Sequence, residues 1–244
     1  MFNFKSQLLG IAAVLPVVAA GLMTSAGSAQ AAALTGDFSF VGGTTYNPFA
    51  SSTVKLTKDA LTFTPQPITP IGISSQSGNF SGFNSANIGN IISFSGNTAD
   101  NPFLDLGNLE FFGFPTPGQI FPGANTASLT DNLNTFTLQS SDYKISQSGA
   151  NVSIDVELWG FFTSATGEIS KGAGNITFQK NDTTVTSVTN LLNGGGILTS
   201  ESGGGLTFSG AAFTAKVPEP TTMLGLGLVA AGMTVARRRK AVTA

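Results

Sequence analysis

Residues 151–162 read NVSIDVELWGFF. Val152, Ile154, Val156 and Leu158 fall on one side of an extended chain, and Ser153, Asp155 and Glu157 on the other, because successive side chains of a strand alternate. One dry face and one wet face describe a half-buried antiparallel strand. Extended upstream, the stretch becomes YKISQSGANVSIDV (143–156), which reads as a hairpin turning at Ser148, Gly149, Ala150 and Asn151.

The same period recurs along the chain. TGDFSFVG (35–42) places Phe38 and Phe40 together, STVKLTKDALTF (52–63) carries Val54, Leu56 and Phe63, and NIISFSG (90–96) pairs Ile92 with Phe94. NTFTLQ (134–139) sets Phe136 beside Leu138, and NITFQK (175–180) and GLTFSGAAFTAKV (205–217) follow. β-Branched residues and Phe alternate with polar ones between Gly, Asn, Ser and Pro turns, which predicts strands. No convincing amphipathic helix is present, although TSVTNLLNG (186–194) allows one turn or a short helix. A Pro/Gly/Asn-rich loop is expected over 114–132. The expected fold is all-β: an antiparallel β-sandwich or jelly-roll-like single domain of about eight to ten strands over residues 34–216.

Composition narrows the chemistry. The 244-residue chain has no Cys and no His, only 10% charged residues, and 20 Phe against 2 Tyr and 1 Trp. Ser-His-Asp and Cys-His catalysis are therefore excluded within it, and soft-metal sites lose their usual ligands. Residues 34–216 hold six lysines and no arginine against twelve carboxylates, a net of −6. Such a domain lacks the basic footprint of a nucleic-acid binder.

Candidate sites within the domain are weak. Asp155 and Glu157 sit two apart, hence on one strand face and roughly 7 Å from each other. That spacing suits a glycosidase pair, but a solvated strand face explains it as well, and no enzyme activity is expected. Asp100 and Asp105, in DNPFLDLGNLE (100–110), are candidate calcium ligands without the spacing of an EF-hand, and turn formation is the competing reading. Trp159, Phe161 and Phe162 suggest an aromatic platform for sugars, with core packing expected for at least two of them. A calcium- or carbohydrate-binding module is thus the alternative to a structural domain. No cofactor is required.

Both ends of the chain look like addresses. Residues 1–33 combine a positive start (Lys5), an apolar run over 8–23 and small residues ending in Ala29-Gln30-Ala31 and Ala31-Ala32-Ala33. This is the layout of a secretory signal peptide, with signal peptidase expected to cut after Ala31 or Ala33. Near the other end the chain reads VPEPTTMLGLGLVAAGMTVARRRK (217–240). Pro218 and Pro220 around Glu219 resist both helix and strand. The following 16 apolar or small residues span about 24 Å as a helix, short against a hydrocarbon core of about 30 Å. Arg237, Arg238, Arg239 and Lys240 would stop on the cytoplasmic side.

Pro218-Glu219-Pro220, a short apolar run and a closing basic cluster, in that order, resemble the PEP-CTERM protein-sorting domain. The resemblance covers residues 217–241 and implies recognition by an exosortase, a membrane transpeptidase-like enzyme of Gram-negative-type bacteria. It further implies removal of the tail and delivery to the cell surface or extracellular matrix, where polysaccharide is the expected partner. A permanent short transmembrane anchor is the competing reading of 217–244. Both readings place the domain outside, with only transient membrane contact in the first.

Overall fold

The computed structural model describes residues 33–200 and 202–214. In chain order its strands begin with β1 (Asp37–Gly42), β2 (Thr44–Tyr46), β3 (Phe49–Ser51), β4 (Thr53–Leu56), β5 (Leu61–Thr64), β6 (Pro70–Ser74), β7 (Ser85–Ile88), β8 (Ile91–Ser93) and β9 (Thr98–Ala99). They continue with β10 (Leu104–Gly107), β11 (Glu110–Phe111), β12 (Phe114–Pro115), β13 (Gln119–Ile120), β14 (Thr135–Ser148), β15 (Asn151–Thr163), β16 (Ile169–Lys180) and β17 (Phe208–Thr214). Helix α1 (Val185–Asn193) falls where the short helical stretch was expected, and the Thr184 side chain caps it by accepting from the Ser187 amide.

The domain is all-β and its main sheet is antiparallel, as the alternation predicts, while the short β13–β2 pairing outside it is parallel. Alternation by itself does not distinguish two facing sheets from one sheet closed on itself. Here the main sheet closes, in the order β1-β17-β16-β15-β14-β10-β7-β6, with β1 pairing β6 on one side and β17 on the other. All eight seams are antiparallel, and closure removes free edges from this sheet. The long hairpin β14–β15 turns at residues 149–150, within the expected turn. Three smaller sheets, β11-β12, β13-β2-β3 and β4-β5-β8-β9, lie outside the ring.

Eight strands leave an interior that side chains can fill. Phe38, Phe40, Phe136 and Phe162 are fully buried there, with Ile71, Ile88, Leu104, Val156 and Ile176. Their rings form a continuous chain. Phe162 lies 4.7 Å from Phe136 and 5.0 Å from Phe80, and Phe80 lies 4.9 Å from Phe38, measured between centroids. Phe80 sits in a 3₁₀ turn (Gly78–Gly82) and extends the core beyond the strands. Phe103 links Phe136 to Phe63, which meets Phe208 at 5.0 Å. Val54, Leu56, Leu61 and Phe63 of the β4–β5 hairpin, with Val188 and Leu192 of α1, join the same core. Tyr143 packs on Phe94 and donates a hydrogen bond to the Lys58 carbonyl, tying the four-stranded sheet to β14.

One expected face is reversed. In β8, Ile91 is buried and Ile92 is 57% exposed, so Ile92 does not share the inner face assigned to it with Phe94. The register of β8 against β9 shifts between Ile91 and Ser93. An irregularity of this kind inverts the alternation for the residues it displaces.

The rings need room, and glycines supply it. A Cβ at Gly172 would stand 2.5 Å from Phe162 Cε2, and one at Gly160 would run into the Thr137 carbonyl oxygen and lie 3.0 Å from Phe136 Cζ. Gly160 and Gly172 face each other across β15 and β16. We expect Gly172→Ala to overpack this layer and cost about 1–3 kcal/mol. Thermal unfolding would then drop by roughly 2–4 °C per kcal/mol. Gly82→Ala, whose Cβ would meet nothing within 4 Å, serves as the control. Equal melting of the two variants would refute the interlock.

Candidate functional site

The register of the ring decides which aromatic residues reach solvent. Trp159 on β15 lies opposite Ala173 on β16, and Ala173 lies opposite Phe213 on β17. All three point away from the packed interior. Trp159 is 42% and Phe213 50% exposed, two strand spacings apart, or about 10 Å. The small Ala173 between them forms the floor of an open groove of about 510 Å³, which Phe161, Ile169 and Lys171 also line. Of the three aromatics singled out in the sequence, Phe162 is core, Phe161 is half-buried and Trp159 is exposed.

Asp155 and Glu157 occupy the outer face of β15, as the alternation predicts. Asp155 is half-buried and accepts a hydrogen bond from Thr177 Oγ1 at 2.9 Å, while Glu157 is exposed opposite Asp142 and Asn175. A like-charged neighbour at this register is unfavourable, and only exposure to water makes it tolerable.

Asp100 and Asp105 engage different partners. Asp100 Oδ2 accepts from the backbone and side-chain nitrogens of Asn90, both at 2.8 Å, which is a turn-stabilising arrangement. Asp105 lies within β10 at 3% exposure, where Oδ2 accepts from the Asn132 amide at 3.0 Å and Oδ1 has no partner. No group of three or more acidic, His or Cys side chains suited to a metal occurs among the described residues. Asp105 instead clamps the end of the long loop before β14, where Asn132 adopts a left-handed conformation.

A second aromatic group was not singled out from the sequence. Phe112 and Gly113 both have positive φ, at 50° and 79°, and form the tip of the β11–β12 hairpin. Tight turns of this hand favour Asn-Gly, and a bulky residue there costs on the order of 1 kcal/mol. Phe112 is nonetheless 86% exposed, with Phe114 beside it. Behind them Phe111 stacks on Phe121 at 4.6 Å and Phe121 on Tyr46 at 4.5 Å. The run FFGF at 111–114 carries the local signal, whereas the contribution of Tyr46 and Phe121 appears only when β13 pairs with β2.

The sorting residues Pro218, Glu219, Pro220, Arg237, Arg238, Arg239 and Lys240 lie outside the described residues, as does Ala31. Ala33 is the first residue described. Its neighbour Leu34 is 3% exposed, and the Leu34 carbonyl accepts from Ser170 Oγ at 2.6 Å, so Leu34 already belongs to the packed domain. At the other end of the described residues Thr214 exchanges hydrogen bonds with Gly36 through both its amide and its hydroxyl, which ties the end of β17 to the residue before β1.

The described residues thus define a closed β-barrel domain with a packed interior and aromatic groups on its surface. Comparison with known proteins adds the identity of the tail. The family model of the PEP-CTERM protein-sorting motif matches residues 216–240, about a tenth of the chain. The motif marks a secreted, exosortase-sorted surface protein. No curated protein and no solved structure matches the chain.

The burial of the Asp105 carboxyl, with Oδ1 unpartnered, has a measurable consequence. Burial, opposed by the Asn132 hydrogen bond and aided by the Asp131 charge, raises its pKa from 3.8 to about 6. The native state then holds this proton longer than the unfolded chain does. Its contribution to stability is greatest below about pH 4, falls between about pH 4 and 6, and stays lower above that by about 3 kcal/mol. Asp105→Asn is expected to flatten urea-unfolding stability over this window and to stabilise the protein at pH 7.5. An unchanged slope between pH 4 and 6 would dismiss the assignment.

Proposed function

We propose that this protein is a non-catalytic structural component of the extracellular matrix, exported through its N-terminal signal peptide and released at the surface when an exosortase removes the tail. The observation that carries the reading is the sorting motif at 216–240. Supporting it are the signal-type layout of residues 1–33 and an independently packed domain between the two ends. The apolar segment after Pro220 is short for a permanent anchor, which favours a temporary membrane stage. Polysaccharide is the partner we assign to the exported domain. Its outer strand faces carry hydroxyl and amide groups, such as Ser153, Asn175, Thr177 and Gln179, among the charged Asp142, Lys144, Asp155, Glu157 and Lys171.

The test is export in a host that carries an exosortase. Wild-type protein should leave the membrane fraction with a mass that starts at Ala32 or Leu34 and lacks the apolar tail. Glu219→Ala should accumulate in the membrane with its tail intact. Surface protein that still contains residues 221–244 would refute sorting by cleavage. Wild-type protein that is cleaved yet does not sediment with extracellular polysaccharide would refute the matrix role alone.

A further inference from the structure

The groove at Trp159 lies beside the exit of the tail. Phe213, which forms one wall, immediately precedes Thr214, the last described residue, and Thr214 is pinned to Gly36. Ile169 opens β16 at the same end of the barrel, because it pairs with Thr163, the last residue of β15. Ile169 is 64% exposed. Three exposed apolar side chains, Trp159, Ile169 and Phe213, therefore lie together at this end of the barrel.

The length of the intervening chain sets a limit. From Thr214 to Thr221, where the apolar run begins, there are seven steps of at most about 3.6 Å, or about 25 Å in all. Whenever that run occupies a bilayer, this end of the barrel is held within about 25 Å of the lipid surface. A tether of this length gives the patch an effective lipid concentration at which weak contacts are occupied. The patch has the chemistry of an interfacial seat: an indole, a Phe and an Ile, with one ammonium, Lys171, able to reach headgroup phosphates. Asp37 and Glu168 flank it, so attraction to anionic lipid is not the driving force.

We propose that, in the tail-inserted form, the Trp159–Ile169–Phe213 patch rests on the outer surface of the bilayer. This contact orients the barrel so that the Pro218-Glu219-Pro220 stem lies at the membrane surface for cleavage. The inference rests on the sorting reading of the tail. It gives the exposed groove a role before cleavage and predicts that the patch leaves the lipid when the tail is removed.

Trp159 is the single Trp of the chain, which makes it a clean probe. The full-length protein would be reconstituted into phosphatidylcholine vesicles with and without brominated acyl chains, and vesicle association checked by flotation. Trp159 emission is expected to shift to the blue and to be quenched roughly twofold or more by the brominated chains, as for an indole seated at the interface. Ile169→Asn, a surface change outside the core, should float equally but lose about half of that quenching. Added salt should leave the result unchanged. A chain that floats while Trp159 stays open to aqueous iodide overturns this inference and leaves the tail reading intact. A chain that does not float overturns both. A Trp159 response to soluble polysaccharide without any response to vesicles would reassign the groove to sugar binding.

Discussion

The closed ring depends on phenylalanine packed against glycine. An eight-stranded barrel has a narrow interior, and rings as large as Phe40, Phe136 and Phe162 fit because neighbouring strands carry Gly160, Gly172 and Gly210, while Phe38 faces the small Ala212. Gly160 and Gly172 face each other across β15 and β16 beneath Phe136 and Phe162, and Gly210 of β17 lies directly opposite Phe40 of β1. Gly in a strand interior usually weakens it. Here the loss is offset because the rings cover the exposed backbone and because both neighbours of every ring strand are paired. The strand glycines Gly160, Gly172 and Gly210 and the rings of Phe136, Phe162 and Phe40 are two sides of one packing solution.

Closure also governs what remains outside. Once the inner positions of β14 to β17 are taken by the core, the alternate positions must face water. On most of that surface they are Ser, Thr, Asn, Gln and charged residues, including the facing Asp142 and Glu157. Trp159, Phe161, Ile169 and Phe213 depart from this rule near one end of the barrel, and Phe112 and Phe114 depart from it in the hairpin after β10. Trp159, Phe213, Phe112 and Phe114 are the exposed rings among these, and none belongs to the buried core. The left-handed backbone at Phe112 works against the stability of the domain. Residues kept at a cost to stability are where surface contacts are to be sought.

How much of this was legible in the sequence differs by element. The β14–β15 hairpin and the inner faces of β1, β14 and β15 follow directly from alternation, because each strand has one dry side. Ile92 did not follow, since a register shift at β8 inverts the pattern locally. Asp105 resembled a loop ligand in sequence, but it is a buried strand residue holding the Asn132 amide. Trp159 stood out by composition, whereas Phe213 did not: it joins Trp159 only because β16 lies between β15 and β17 and presents Ala173 to the groove.

The sequence by itself determined the all-β character of the domain, the placement of its best strands and the sorting motif in the tail. These are properties of short contiguous runs: a period of two, a turn, a Pro-Glu-Pro before an apolar stretch and a basic stop. Only the tertiary structure decided that the sheet closes, that Phe rings interlock with strand glycines, and that Trp159, Ile169 and Phe213 meet beside the exit of the tail. Those features depend on which strands become neighbours and in what register. Pairings between residues as distant as Asp37 and Phe213 are selected by the packing of the whole core, which no local run encodes.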